Sequence, residues 1–278
     1  MKKTLLLLLL ALLVAPQGAL ADSISGTDGG WVSWATNSSP DVSTGSYWDN
    51  HGWGADYYTK HNNIGYCLAT TECGLDPVPG LMPFYGTNSG GAVNNITFDG
   101  AGTTYLLTFQ YTDASLSTKN VFGWYYLDGD GNPVEAPLFT GASAGATTLF
   151  TSPTGSYGFY FTTPDCSGKT NLADCLADPN VPLHTWFSNT SENQIWQEYD
   201  QSNDQHFAIF SPNHLDSNPT YWIGAEDLPF QPDSWSSDRN YTDATIEMRP
   251  VPEPGSLYLF GTGLVGLLGL RYRLRKRA

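Results

Sequence analysis

The chain has 278 residues, 40% of them hydrophobic and only 14% charged, and its 12 lysines and arginines face 27 aspartates and glutamates for a formal net charge of −15. All 27 acidic residues lie between Asp22 and Pro254, where only Lys60, Lys119, Lys169, Arg239 and Arg249 are basic, so that stretch carries a net charge of −22. Such a body repels polyanions: nucleic acid is excluded as a partner, and divalent cations, cationic partners or plain solubility outside a cell are favoured.

The elements begin with a targeting segment. Lys2 and Lys3 precede an apolar run from Thr4 to Val14, Pro16 breaks it, and Ala19-Leu20-Ala21 meets the small-x-small cleavage rule. An apolar run of about 11 residues is too short for an anchor. Residues 1–21 therefore read as a signal peptide, taken by the Sec translocon and removed by signal peptidase, and the mature chain starts at Asp22.

Residues 22–90 are irregular and aromatic, with Trp31, Trp34, Trp48, Trp53, Tyr57 and Tyr58 set among Gly, Asn and Ser. Aromatic faces beside amides and carboxylates are how sandwich modules hold sugars, which makes the four tryptophans carbohydrate candidates. Sandwich cores also bury such residues for packing alone. The segment is either the first strands of one sandwich or a loop-rich lobe.

The four cysteines form two local pairs: Cys67 and Cys73 enclose five residues, Cys166 and Cys175 eight. An even count in an exported chain favours disulfides. Bridges 67–73 and 166–175 are the simplest of the three connectivities, expected as clips on exposed loops. Neither gap fits a zinc knuckle.

From residue 103 onward the pattern is that of short strands. In Thr103–Thr112, Tyr105, Leu107, Phe109 and Tyr111 alternate with Leu106, Thr108 and Gln110. Val121–Leu127 follows, ended by Asp128-Gly129-Asp130-Gly131-Asn132. Thr147–Phe150 and Ser156–Thr162 flank a turn at 152–155, and Gln205–Phe210, Thr220–Ala225 and Ala244–Met248 complete the set. Short strands punctuated by turn residues predict an all-β fold, an antiparallel β-sandwich or jelly roll spanning residues 22–250.

Asp128, Asp130 and Asn132 have the spacing that opens an EF-hand loop. Pro133 at position six and Phe139 at position twelve break the motif, leaving a hairpin turn. His51, His61, His184, His206 and His214 form no H-x-x-x-H or H-E-x-x-H pair, and His206 reads as a hydrogen-bonded core residue. No nucleophile elbow, phosphate loop or dinucleotide fingerprint occurs, so nothing in the motifs argues for an enzyme.

The densest acidic constellation lies between Tyr221 and Met248. Glu226, Asp227, Asp238, Asn240 and Asp243 supply the oxygens that Ca²⁺ takes in sets of six to eight, provided that strands 221–225 and 244–248 are neighbours. Asx-turns, or a salt bridge to Arg239, explain the same residues without a metal. Tyr221, Ile223, Gly224, Glu226, Asp227 and Leu228, followed by Asp238, Tyr241 and Asp243, resemble a domain of unknown function found in bacterial surface proteins. Phe122–Tyr125, Gly158–Phe161 and Gln205–Phe210 resemble it too. Asn240 and Thr242 depart from its pattern, and the first removes a charge from the candidate site.

Residues 251–278 close the chain. Pro252-Glu253-Pro254 precedes an uncharged apolar stretch, 256–270, and a basic tail at 271–277 with Arg271, Arg273, Arg275, Lys276 and Arg277. Fifteen helical residues reach roughly 23 Å, a short transmembrane helix, and the cations behind it predict a cytoplasmic C-terminus. This order of motif, apolar helix and Arg cluster resembles the PEP-CTERM sorting signal of Gram-negative bacteria. The resemblance implies processing by an exosortase, an intramembrane protease, with an inner-membrane intermediate and delivery to the cell surface or extracellular matrix. The function expected is that of a non-enzymatic surface or exopolysaccharide-matrix protein, stabilised by calcium if the acidic site holds it. A carbohydrate-binding module is the first alternative and a secreted hydrolase the second.

Overall fold

A computed structural model of the protein describes residues 22–34, 46–48, 63–69, 82–89, 91–112, 119–164, 177–181, 183–193, 205–227 and 241–251, with isolated positions 174, 263 and 266. The signal peptide, Trp53, Cys73, Cys166, Cys175, Asp238, Arg239, Asn240, Pro252, Glu253, Pro254 and the span 256–270 as a whole lie outside them. Among the described residues no helix is long and apolar enough to cross a membrane.

Strands dominate, as the alternation predicts. In chain order they are β1 (Ser23–Ser25), β2 (Gly30–Val32), β3 (Phe84–Gly86), β4 (Thr97–Ala101), β5 (Thr104–Tyr111), β6 (Val121–Leu127) and β7 (Pro133–Thr140). β8 (Thr147–Thr151), β9 (Thr154–Pro164), β10 (Leu183–Phe187), β11 (Phe207–Phe210), β12 (Tyr221–Ala225) and β13 (Ala244–Pro250) follow, and the helix α1 is Ile64–Ala69. One sheet runs β1-β4-β9-β6-β7, with β10 also paired to β9. The long β9 takes β4 along its first half and β10 along its second, so the two short strands share one side. The other sheet runs β2-β3-β11-β12-β13-β5-β8. Among the described residues every strand pairing within these sheets is antiparallel.

The two sheets enclose one aromatic-rich core. Tyr105, Leu107 and Phe109 of β5 turn inward and are buried, while Leu106 is 38% exposed, the period-two pattern of a half-buried strand. Phe98, Phe122 and Phe159 from one sheet meet Ile223, Ile246 and Met248 from the other.

A second cluster covers the outer face of the seven-stranded sheet. Trp34, Trp48, Ile64 and Leu68 pack over Phe84, Phe210 and Trp222. This explains why Phe207-Ala208-Ile209-Phe210 is a continuous apolar run: Phe207 and Ile209 face the main core, Ala208 and Phe210 the second. Residues 22–90 are thus no separate lobe where described. They give β1 to one sheet, β2 and β3 to the other, and α1 to the outer layer.

Cys67, in α1, corrects one expectation. It is 0% exposed within the second cluster, and the other three cysteines lie outside the described residues. Cys67 therefore sits inside the covering layer rather than on an exposed loop.

Candidate metal centre

The condition set by the acidic motif is met. β12 and β13 are direct neighbours, with Ala225 opposite Ala244, so the residues just beyond them converge at one end of the sandwich. Glu226, Asp227 and Asp243 each present an oxygen there, all within 4.8 Å of one another, and all three residues are buried. Oxygens bound to one Ca²⁺ at about 2.4 Å lie at most about 4.8 Å apart, and the three oxygens meet that limit.

Backbone geometry fixes these carboxylates. The Asp227 amide donates to Asp243 Oδ2 at 2.7 Å, bridging the two strand ends. The Tyr241 amide donates to Glu226 Oε2 at 3.4 Å, from a left-handed φ of 57° that turns the chain into β13. Thr112 Oγ1, at the end of β5, donates to the Asp243 carbonyl at 2.6 Å. His206 Nδ1 donates to the Glu226 carbonyl at 3.1 Å, and its ring stacks on Trp186 at 3.5 Å, which makes it the core residue that the sequence indicates.

The opposite sheet also reaches the site. Asn120, directly before β6 and 7% exposed, donates from Nδ2 to Asp227 Oδ2 at 3.1 Å. Its Oδ1 is buried and has no hydrogen-bond partner among the described residues. An amide beside a carboxylate can turn that oxygen toward a cation. Asn120 lies 107 positions from Asp227, and no local motif announces it.

Three full negative charges at this spacing would repel by about 3.5 kcal/mol per pair at an effective dielectric of about 20. Burial adds to that cost, so the cluster calls for neutralisation by a proton, a cationic side chain or a metal ion. The oxygen-only donor set suits a hard divalent ion.

The remaining candidates fall elsewhere. Trp34 and Trp48 are 8% and 2% exposed and pack edge-to-face on each other at 5.0 Å, so they offer no open face to a sugar. Trp31 is half-buried and stacks on His214 at 4.7 Å. Asp128 caps the β6–β7 hairpin, its Oδ1 accepting from the amides of Asp130 and Asn132, both at 2.9 Å. Those bonds hold its carboxyl below the ordinary carboxylate range. A hairpin turn is what stands there.

The C-terminal segment is settled by comparison: residues 250–276 match the PEP-CTERM protein-sorting motif. The chain carries an exosortase sorting signal. A PEP-CTERM tail marks an exported protein sorted to the cell surface, and exosortase is the partner that recognises it. No curated protein and no solved structure matches the chain.

Proposed function

We propose that this PEP-CTERM protein is a non-enzymatic component of the cell surface or exopolysaccharide matrix, with a body stabilised by calcium between its two sheets. The sorting motif at 250–276 is the observation that carries the surface reading. On this account residues 1–21 are lost to signal peptidase, the Pro252-Glu253-Pro254 tail is processed from an inner-membrane intermediate, and the acidic body is released outward. Calcium is supported by the convergence of Glu226, Asp227 and Asp243. On this reading Asp238 and Asn240, outside the described residues, supply further ligands. The body's net charge of −22 draws divalent cations toward it. Pairing of Cys67 with Cys73, and of Cys166 with Cys175, belongs to the same oxidising setting.

The route is tested by expressing the full chain in a Gram-negative host with and without a functional exosortase. Intact mass and fractionation should show loss of the C-terminal segment and surface release only when the exosortase is present. An unprocessed chain in both hosts contradicts the proposal. Replacing Pro252 and Glu253 with Ala should trap the membrane-bound form.

A further inference from the structure

Asp22 is the first described residue of the chain and one of the most tightly held in the sandwich. It is 2% exposed. Its Oδ1 accepts from the Ala101 amide at 2.9 Å and from Ser152 Oγ at 3.0 Å, and its Oδ2 from the Tyr157 hydroxyl at 2.7 Å. Its carbonyl oxygen accepts from the Tyr221 hydroxyl at 2.6 Å. Ala101 ends β4 and Tyr157 lies in β9, both in one sheet; Tyr221 opens β12 in the other. A single residue is therefore bonded to both sheets and to the β8–β9 turn, and β1 starts at the next position, with Ser23 opposite Asp99.

This density is unusual for a residue at the start of a domain, where chains are ordinarily loose unless tied down. A buried carboxylate is held only where donors satisfy it, and here three do so. The small-x-small sequence Ala19-Leu20-Ala21 stops immediately before it.

We propose that the fold is built to receive Asp22, the first residue left by cleavage after Ala21, as its free N-terminal residue, locking the processed end across both sheets. The idea rests on the export reading above. Hydrolysis of the amide by water, in the signal peptidase site, releases the Ala21 carboxylate and leaves an α-ammonium on Asp22. That new positive charge arises on the same residue as the buried carboxylate and offsets it. Because folded Asp22 is enclosed, the bond is cut while the chain is still extended at the translocon, and the niche closes afterwards. Folding then makes removal of the signal irreversible in structural terms: the end becomes an internal part of the body.

The test uses the full chain exported from a Gram-negative host. N-terminal sequencing and intact mass should place the mature start at Asp22. A start at any other residue overturns the proposal while leaving the export reading intact, whereas retention of residues 1–21 overturns both. Thermal melts of the exported protein then test the lock. Asp22→Asn, which keeps the volume but sets an amide donor against donors, should lower Tm by at least about 5 °C. Tyr157→Phe, which leaves Asp22 in place, should lower it by a smaller amount, and Ser23→Ala should leave it within about 2 °C. If Asp22→Asn blocks folding altogether, the Tyr157→Phe melt decides. Unchanged melting of both variants would show that the niche locks nothing.

Discussion

Gly224 shows how a single position sets the relation between layers. A Cβ built there would lie 2.5 Å from Ile64 Cδ1 and 2.5 Å from the Tyr241 carbonyl oxygen. The glycine in Ile223-Gly224-Ala225-Glu226 thus makes room for α1 on one side and for the turn into β13 on the other. Gly224→Ala should cost about 1–3 kcal/mol by overpacking, read as a lowered denaturant midpoint with little change in m-value. Melting at the wild-type midpoint would mean that the layer shifts freely. Asn120 acts on the opposite side of the same region. Asn120→Ala should weaken the calcium response without altering the two strands that carry the carboxylates, and isothermal titration with calcium measures it.

Among the elements, legibility in the sequence follows burial pattern. β5, β6, β9, β12 and β13 were each readable, because alternation or a bounded apolar run records one or two buried faces. β7 was not readable, since Pro133 and Pro137 argue against a strand. It exists because it is the edge of its sheet, where a missing amide costs little, and because a register shift at Phe122/Gly123 takes up the irregularity. β1, β2 and β3, of three residues each, are too short to show a period. The site divides in the same way. Glu226, Asp227 and Asp243 stand in one compact motif, whereas Asn120 and Asp22 join their partners only through sheet topology. The Asp128 turn carries its own prediction. Since the folded carboxyl is held low, its stabilisation is present above the ordinary carboxylate range and is lost as pH falls through the folded value. Carboxyl NMR should find its midpoint below about 3.9. A midpoint at or above that value would mean that the turn is not closed in solution.

At the level of the whole molecule, Asp22 with its hydroxyl partners and the acidic cluster with Asn120 are among the ties between the sheets in the described residues. Burial first, and then the neighbouring charge of Asp22, pushes the Tyr157 hydroxyl well above its usual range; burial raises Tyr105 and Tyr221 as well. The folded state holds these protons more tightly than the unfolded chain, whose tyrosines ionise near about pH 10. Their contribution is therefore complete below about pH 10 and is lost as pH rises beyond it. Alkaline unfolding should be cooperative, with tyrosinate absorbance rising in the same transition as loss of β-structure. Gradual ionisation within an intact fold would contradict the buried cluster.

The most direct test of the proposed calcium site is a thermal melt of the mature exported protein in millimolar calcium and in EDTA, with Asp243→Asn alongside. A ligand that binds only the folded state at about 100 times its Kd adds about 2.7 kcal/mol, or roughly 5–10 °C for a body of this size. The account predicts a rise of that order with calcium and its loss in Asp243→Asn. Equal midpoints in calcium and EDTA would contradict it, and would assign Glu226, Asp227 and Asp243 to protons or to side-chain cations instead.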